Sequence, residues 1–242
     1  MRWAIFLCGL LVALQGDQAV AGSQLHEEPA IHEGHDDNRL HDRPGEETVT
    51  SMGVAHAHFG PHFRWTAIRT LTDEDRRRAE ALVTTLRRTL APYRDYRRAI
   101  ADGYEPFLPD VMQAHYHFTS KWRGFKSAFR FDAAQPTSLL YKKTSEGYEL
   151  EGAMYTAPKR TSESDLDKRV PLSVARWHAH VDICLPPKQS AQRADWTRFG
   201  PKGSIVTEAE CDHAKGRWVL QLFGWMIHVY PFEETPQKIW TH

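Results

Sequence analysis

Val174-Ala175-Arg176-Trp177-His178-Ala179-His180-Val181-Asp182-Ile183-Cys184-Leu185 is the stretch on which the fold turns. Read as a β-strand, its side chains alternate between two faces. Ala175, Trp177, Ala179, Val181, Ile183 and Leu185 make an apolar face that belongs on a core. Val174, Arg176, His178, His180, Asp182 and Cys184 make the other. Two imidazoles and a carboxylate thus share one side of a rigid strand. A His-x-His pair held this way is half of a metal site.

A second pair lies upstream, in Gln113-Ala114-His115-Tyr116-His117-Phe118-Thr119. Ala114, Tyr116 and Phe118 form its apolar face, and His115 and His117 the other. His228 follows in the apolar run Trp218 to Tyr230, read as one buried strand, among Trp225, Met226 and Tyr230. Adjacent strands stand ~4.8 Å apart, so two pairs on neighbouring strands can converge on one ion. The expected ligands are His178, His180, His228, His117 and His115. Asp182, His58 and His62 are expected as second-layer partners or extra ligands.

Imidazole ligation suits copper, zinc or iron. Copper is favoured over zinc, and iron comes third. Known spacings narrow the chemistry. His178-Ala179-His180-Val181-Asp182 begins like the metallo-β-lactamase HxHxDH motif, but Ile183 replaces its last histidine. A cupin would place a glutamate shortly after the pair, where Cys184 and Leu185 stand. His180, Asp182 and His228 fit a two-His-one-carboxylate iron site, with Lys238 placed for a cosubstrate carboxylate, yet an exported protein meets little 2-oxoglutarate. Blue copper, c-type haem and serine hydrolase motifs are missing.

The first residues predict export. Arg2, the apolar run Trp3 to Leu14 and Ala19-Val20-Ala21 read as a signal peptide over 1–21. That run is too short for a span, which needs ~20 residues. The expected location is secreted or periplasmic. Cys184 and Cys211, 27 positions apart, are then expected to pair in an oxidising compartment. The rival reading makes Cys184 a ligand.

Residues 22–64 read as a flexible His- and acid-rich tail. The tail holds His26, His32, His35, His41, His56, His58 and His62, seven of the chain's 14 histidines. Residues 65–242 read as one metal-binding domain. Thr72-Asp73-Glu74-Asp75 caps a helix whose stripe is Ala79, Leu82, Val83, Leu86 and Leu90, kinked at Pro92 and stopped at Gly103. Phe125 to Phe131 reads as a strand or aromatic loop, and 158–171 as a surface loop. Pro136 to Tyr155 reads as a β-hairpin turning at Gly147. The fold class is α+β: an N-terminal helical arm on a mainly antiparallel, curled sheet or small sandwich or barrel. Formal net charge is zero, so nucleic acid is not expected as a partner. A metal ion and a small-molecule substrate are the expected partners, with no membrane span after cleavage.

Several motifs carry a resemblance: Tyr116-His117-Phe118-Thr119, Pro136-Thr137-Ser138-Leu139-Leu140-Tyr141 and Gly152-Ala153-Met154-Tyr155-Thr156-Ala157-Pro158. Trp177-His178-Ala179-His180 with Cys184-Leu185-Pro186-Pro187, and Trp225 to Glu233, extend it. Together they resemble a group of secreted bacterial proteins without an assigned activity. The resemblance implies bacterial export and transfers no chemistry. A metal-dependent, redox enzyme is the leading expectation. A non-catalytic metal-delivery protein and a metal-free structural domain are the alternatives.

Overall fold

Helix α1 (Asp73–Leu90) begins where the Thr72 side chain accepts a hydrogen bond from the Asp75 amide. Asp73, Glu74 and Asp75 face the positive end of its dipole, and Arg87 and Arg88 the negative end. Its buried residues are the stripe the spacing predicts: Ala79, Leu82, Val83, Leu86 and Leu90. The arginine-rich face is ion-paired at Arg77–Glu74 (2.7 Å) and Arg78–Asp75 (3.2 Å). Pro92 sits in a 3-10 turn, Ala91–Arg94, followed by α2 (Tyr96–Ala101). This computed structural model describes residues 60–110 and 112–241. The signal peptide, His56, His58 and the other tail histidines before residue 60 lie outside the described residues.

Strand β1 (Phe63–Trp65) precedes α1, so the expected tail 22–64 ends too late: Phe63 and Arg64 are already in the sheet. After α2 come β2 (Glu105–Pro106), β3 (Tyr116–Thr119), α3 (Lys121–Phe129), β4 (Ser138–Thr144) and β5 (Gly147–Ala157). Helix α4 (Glu163–Arg169) and β6 (His178–Leu185) follow. The chain finishes with α5 (Glu208–His213), β7 (Arg217–Gln221), β8 (Trp225–Val229) and α6 (Pro236–Ile239). The sheet is antiparallel, eight-stranded and open, in the order β1-β6-β8-β5-β4-β3-β2, with β7 paired to β6. The fold is therefore α+β.

Three expectations change. Residues 121–129 are a helix, not a strand or loop: Ser120 caps it, accepting from the Arg123 amide. The 158–171 segment contains α4. The run from Trp218 to Tyr230 is two strands, β7 and β8, interrupted around Phe223 and Gly224; both run antiparallel to β6.

One face of the sheet packs on the helices. Leu82, Leu86, Leu90, Phe118, Leu139, Tyr141, Tyr155, Trp177 and Val229 form the main core. The other face carries a small cluster of Leu140, Met154, Met226 and Tyr230. The histidine strands β3 and β6 are not neighbours: β4, β5 and β8 lie between them. A bulge between β4 and β5 alters the geometry. Leu140 opposes Gly152 and Tyr141 opposes Leu150, leaving Glu151 as the extra residue. Gly152 is obligatory there, since a Cβ would stand 2.4 Å from the Val229 carbonyl oxygen of β8.

At the far end of β6, Cys184 and Cys211 are disulfide-bonded, with Phe199 and Ile205 packed around them. This removes Cys184 from the candidate ligands. Phe199 is the buried anchor of the 186–217 segment, whereas Trp196 is exposed. A loop closed over 27 positions contributes ~3–4 kcal/mol in the chain-entropy picture. Cys184→Ser/Cys211→Ser is expected to lose that amount in urea unfolding; an unchanged midpoint would contradict a stabilising role.

Candidate metal centre

Register decides which imidazoles share a face. Trp65 opposes His178 and Phe63 opposes His180 across β1 and β6. His178 opposes Met226, and Met154 opposes His228. His117 opposes Leu140. All of these lie on the sheet face opposite the main core. In a flat sheet, β3 and β8 would stand three spacings or ~14 Å apart. Yet His117 Nε2 and His228 Nε2 are 3.4 Å apart. The sheet bends enough for two strands separated by β4 and β5 to bring their imidazoles tip to tip.

The rings form a row rather than a single focus. Centroids are 5.5 Å apart for His117–His228, 5.3 Å for His228–His178 and 5.6 Å for His178–His180. Phe63 and Trp65 line its β1 side, 5.8 and 5.2 Å from His178. Phe223, between β7 and β8, stands 6.3 Å from His180. Phe223 also meets Phe107, just after β2, at 6.1 Å. That contact joins the two sides of the bend beyond the last histidine.

The expected set divides. His117, His228, His178 and His180 are brought into sequence. His115 is turned aside: its Nδ1 is 2.6 Å from Glu151 Oε2, and its ring lies against Tyr230. Glu151 is the bulged residue of β5, so the irregularity supplies His115 with its partner. His62 is also diverted. Its Nε2 donates to the Gly203 carbonyl at 2.9 Å, which ties the ring to the loop between Phe199 and Ile205. Asp182 has φ +52°, in the left-handed region that aspartate tolerates better than most residues. There β6 passes from pairing with β1 and β8 to pairing with β7. No hydrogen bond or ion pair joins the Asp182 carboxylate to an imidazole among the described residues.

Burial keeps the His117 imidazole uncharged. Loss of solvation pushes its pKa down to about 4, the nearby His115 adds to the shift, and a backbone hydrogen bond at His115 opposes it. At neutral pH His117 is therefore a neutral base with a lone pair to offer. The Tyr230 phenol is pushed up to about 12 by burial, with the Glu151 charge adding to it. It remains a neutral hydroxyl.

Chemically, the His117–His228 separation has two readings. Two neutral imidazoles at 3.4 Å share one long N–H···N hydrogen bond. Two nitrogens bound ~2.0–2.1 Å from one tetrahedral ion would also stand ~3.3–3.4 Å apart. Among the described residues, no three His, Cys, Asp or Glu side chains form a ready ligand group. The row explains this: each ring meets its neighbour, and a third nitrogen has to rotate inward. Sequence patterning did not single out Met154, Glu151, Phe63 or Trp65, because strand pairing alone places them beside the histidines. No known protein family, curated protein or solved structure matches the chain.

His117 also sets a pH dependence. In the unfolded chain it takes up a proton near pH 6.5, but in the folded chain only near 4. Between these values the unfolded state binds more protons, so stability is lost as pH falls. In chelator, folding stability is expected to drop by at most ~3 kcal/mol from pH 7 to 4 on this account. His117→Gln should flatten that limb of a pH series of urea melts; an unaltered slope would contradict the burial of a neutral imidazole.

Proposed function

We propose that this chain is an exported metalloprotein in which His117, His228 and His178 hold one transition-metal ion. Copper is favoured over zinc, and the ion serves redox chemistry on a small molecule. The observation that carries the reading is the 3.4 Å between the Nε2 atoms of His117 and His228. That distance matches an edge of a tetrahedral coordination sphere. Their strands are not sheet neighbours, so the approach is not a by-product of local pairing.

His178 is the third donor. Its ring is next in the row, 5.3 Å from His228, and a side-chain rotation brings its nitrogen towards the pair. The low proton affinity of His117 favours the same use, because a metal need not displace a proton there at neutral pH. His117 and His228 keep partial solvent access, which leaves room for a small substrate.

The preference for copper rests on sulfur. Met154 is the cross-strand partner of His228 and Met226 that of His178, and the two thioethers cluster with Leu140 and Tyr230. Thioethers are soft ligands that stabilise Cu(I) and do little for Zn(II). Flanking aromatic rings make a low-dielectric setting in which the potential of a bound ion is tuned. Export is supported by the signal-like N-terminus and by the Cys184–Cys211 disulfide, which persists in oxidising compartments.

Elemental analysis of untagged protein, loaded with copper and desalted, tests the centre. Wild type is expected to retain about one ion per chain in addition to any removed by a weak competitor. His117→Ala/His228→Ala, with the N-terminal histidines intact, should lose that tightly held ion. Equal retention in both proteins, or none in either, would end the proposal. Met154→Leu/Met226→Leu keeps side-chain volume. It should weaken Cu(I) binding by about tenfold or more and leave Zn(II) binding unchanged. A parallel loss of both metals would remove the case for copper.

A further inference from the structure

Helix α3 presents an aromatic ladder to solvent. Trp122, Phe125 and Phe129 recur at i, i+3 and i+7 and so share one side of the helix. Their exposures are 64%, 57% and 77%, far above what a soluble surface needs from three large rings in contact. Trp122 stacks on Phe125 with centroids 5.7 Å apart, and Phe125 meets Phe129 edge-on at 5.2 Å. The opposite side anchors the helix. Arg123 reaches Tyr93 and lies over the Tyr104 ring, Gly124 approaches Thr137, and Ser127 bonds to Thr156. The ladder is therefore held outwards by its own packing.

Cations border the ladder. On a helical projection Lys121 and Lys126 flank it, and α3 itself has no acid. Lys126 lies 5.8 Å over the Trp122 ring and also reaches Gln135. Lys121 is paired with Glu105 at 2.9 Å. Beyond Phe129 the ladder runs into a shallow cleft lined by Arg130, Arg160, Lys168 and Arg169. Asp165 faces Lys168 there, and Arg169 donates to the Ser127 and Thr156 carbonyls. Asp132, the remaining carboxylate nearby, accepts from Ala134 and Gln135. Arg130 and Arg160 are exposed and form no ion pair among the described residues.

We propose that this surface docks the protein on an anionic phospholipid bilayer, with Trp122, Phe125 and Phe129 seated at the headgroup–acyl boundary and Arg130 and Arg160 on lipid phosphates. Charge and shape favour that occupant. A convex ladder offers no groove to a peptide, whereas indole and phenyl rings flanked by Lys and Arg suit an interface. Unpaired arginines near an anionic leaflet add electrostatic attraction that a zwitterionic one does not. The chain as a whole has zero net charge, and Arg130 and Arg160 sit at one end of the ladder rather than along it. That arrangement disfavours a nucleic-acid strand. Among the described residues no helix is long and apolar enough to cross a membrane.

Co-sedimentation of the full chain with vesicles tests this, comparing phosphatidylglycerol-containing membranes with phosphatidylcholine alone. Wild type is expected to bind the anionic vesicles at least about tenfold more tightly. Trp122→Ser/Phe125→Ser/Phe129→Ser should lose at least about tenfold on anionic vesicles while keeping its unfolding midpoint, because these rings are exposed. Arg130→Gln/Arg160→Gln should lose the preference for anionic lipid. Absence of wild-type binding, or full binding by the serine variant, would overturn the proposal. So would a dimer, or an oligonucleotide complex, that depends on these rings in a protein that ignores vesicles.

Discussion

Two histidines three strand spacings apart can touch only if the sheet that carries them bends. That bend is the constraint on which the rest of this molecule depends. One irregularity that favours it lies where β4 meets β5. There Glu151 is extra, Leu140 opposes Gly152, and the β5 backbone comes so close to β8 that only glycine fits. A bulge increases local twist and re-aims side chains. Here it turns the His117 side of the sheet towards His228 and swings Glu151 to His115. The bulged residue is also the partner of the third imidazole, His115.

The main core makes this arrangement stiff. Phe118, beside His117, and Val229, beside His228, are fully buried on the opposite face, against α1 and its neighbours. Alternation along each strand converts this burial into a fixed direction for the histidines. The direction of the histidine row therefore follows from apolar packing on the opposite face. Close beneath the row, Met154 and Met226 supply the soft surroundings from which the copper preference is argued.

Short-range pattern made much of this legible in the chain itself. The cap and stripe of α1, the two faces of each His-x-His strand and the Cys184–Cys211 pair follow from spacing and compartment. Long-range pairing is another matter. That β3 and β6 are separated by β8, β5 and β4 leaves no trace in either strand. Spacing alone sets the two pairs side by side, whereas in the structure they meet through His228. Likewise His115 and His117 look equivalent two residues apart, yet Glu151 takes one of them. Helix α3 was hidden because its aromatics face solvent, which inverts the usual sign of the hydrophobic pattern. At Asp182 the backbone of β6 enters the left-handed region, which the alternating pattern does not announce.

The account stands or falls on imidazoles from separate strands binding the same ion. Copper-edge X-ray absorption of the copper-loaded protein, compared with its His228→Ala variant, addresses that most directly. The account predicts multiple-scattering features of three imidazoles in the wild type and the loss of one in the variant. An identical imidazole count in the two spectra would contradict it.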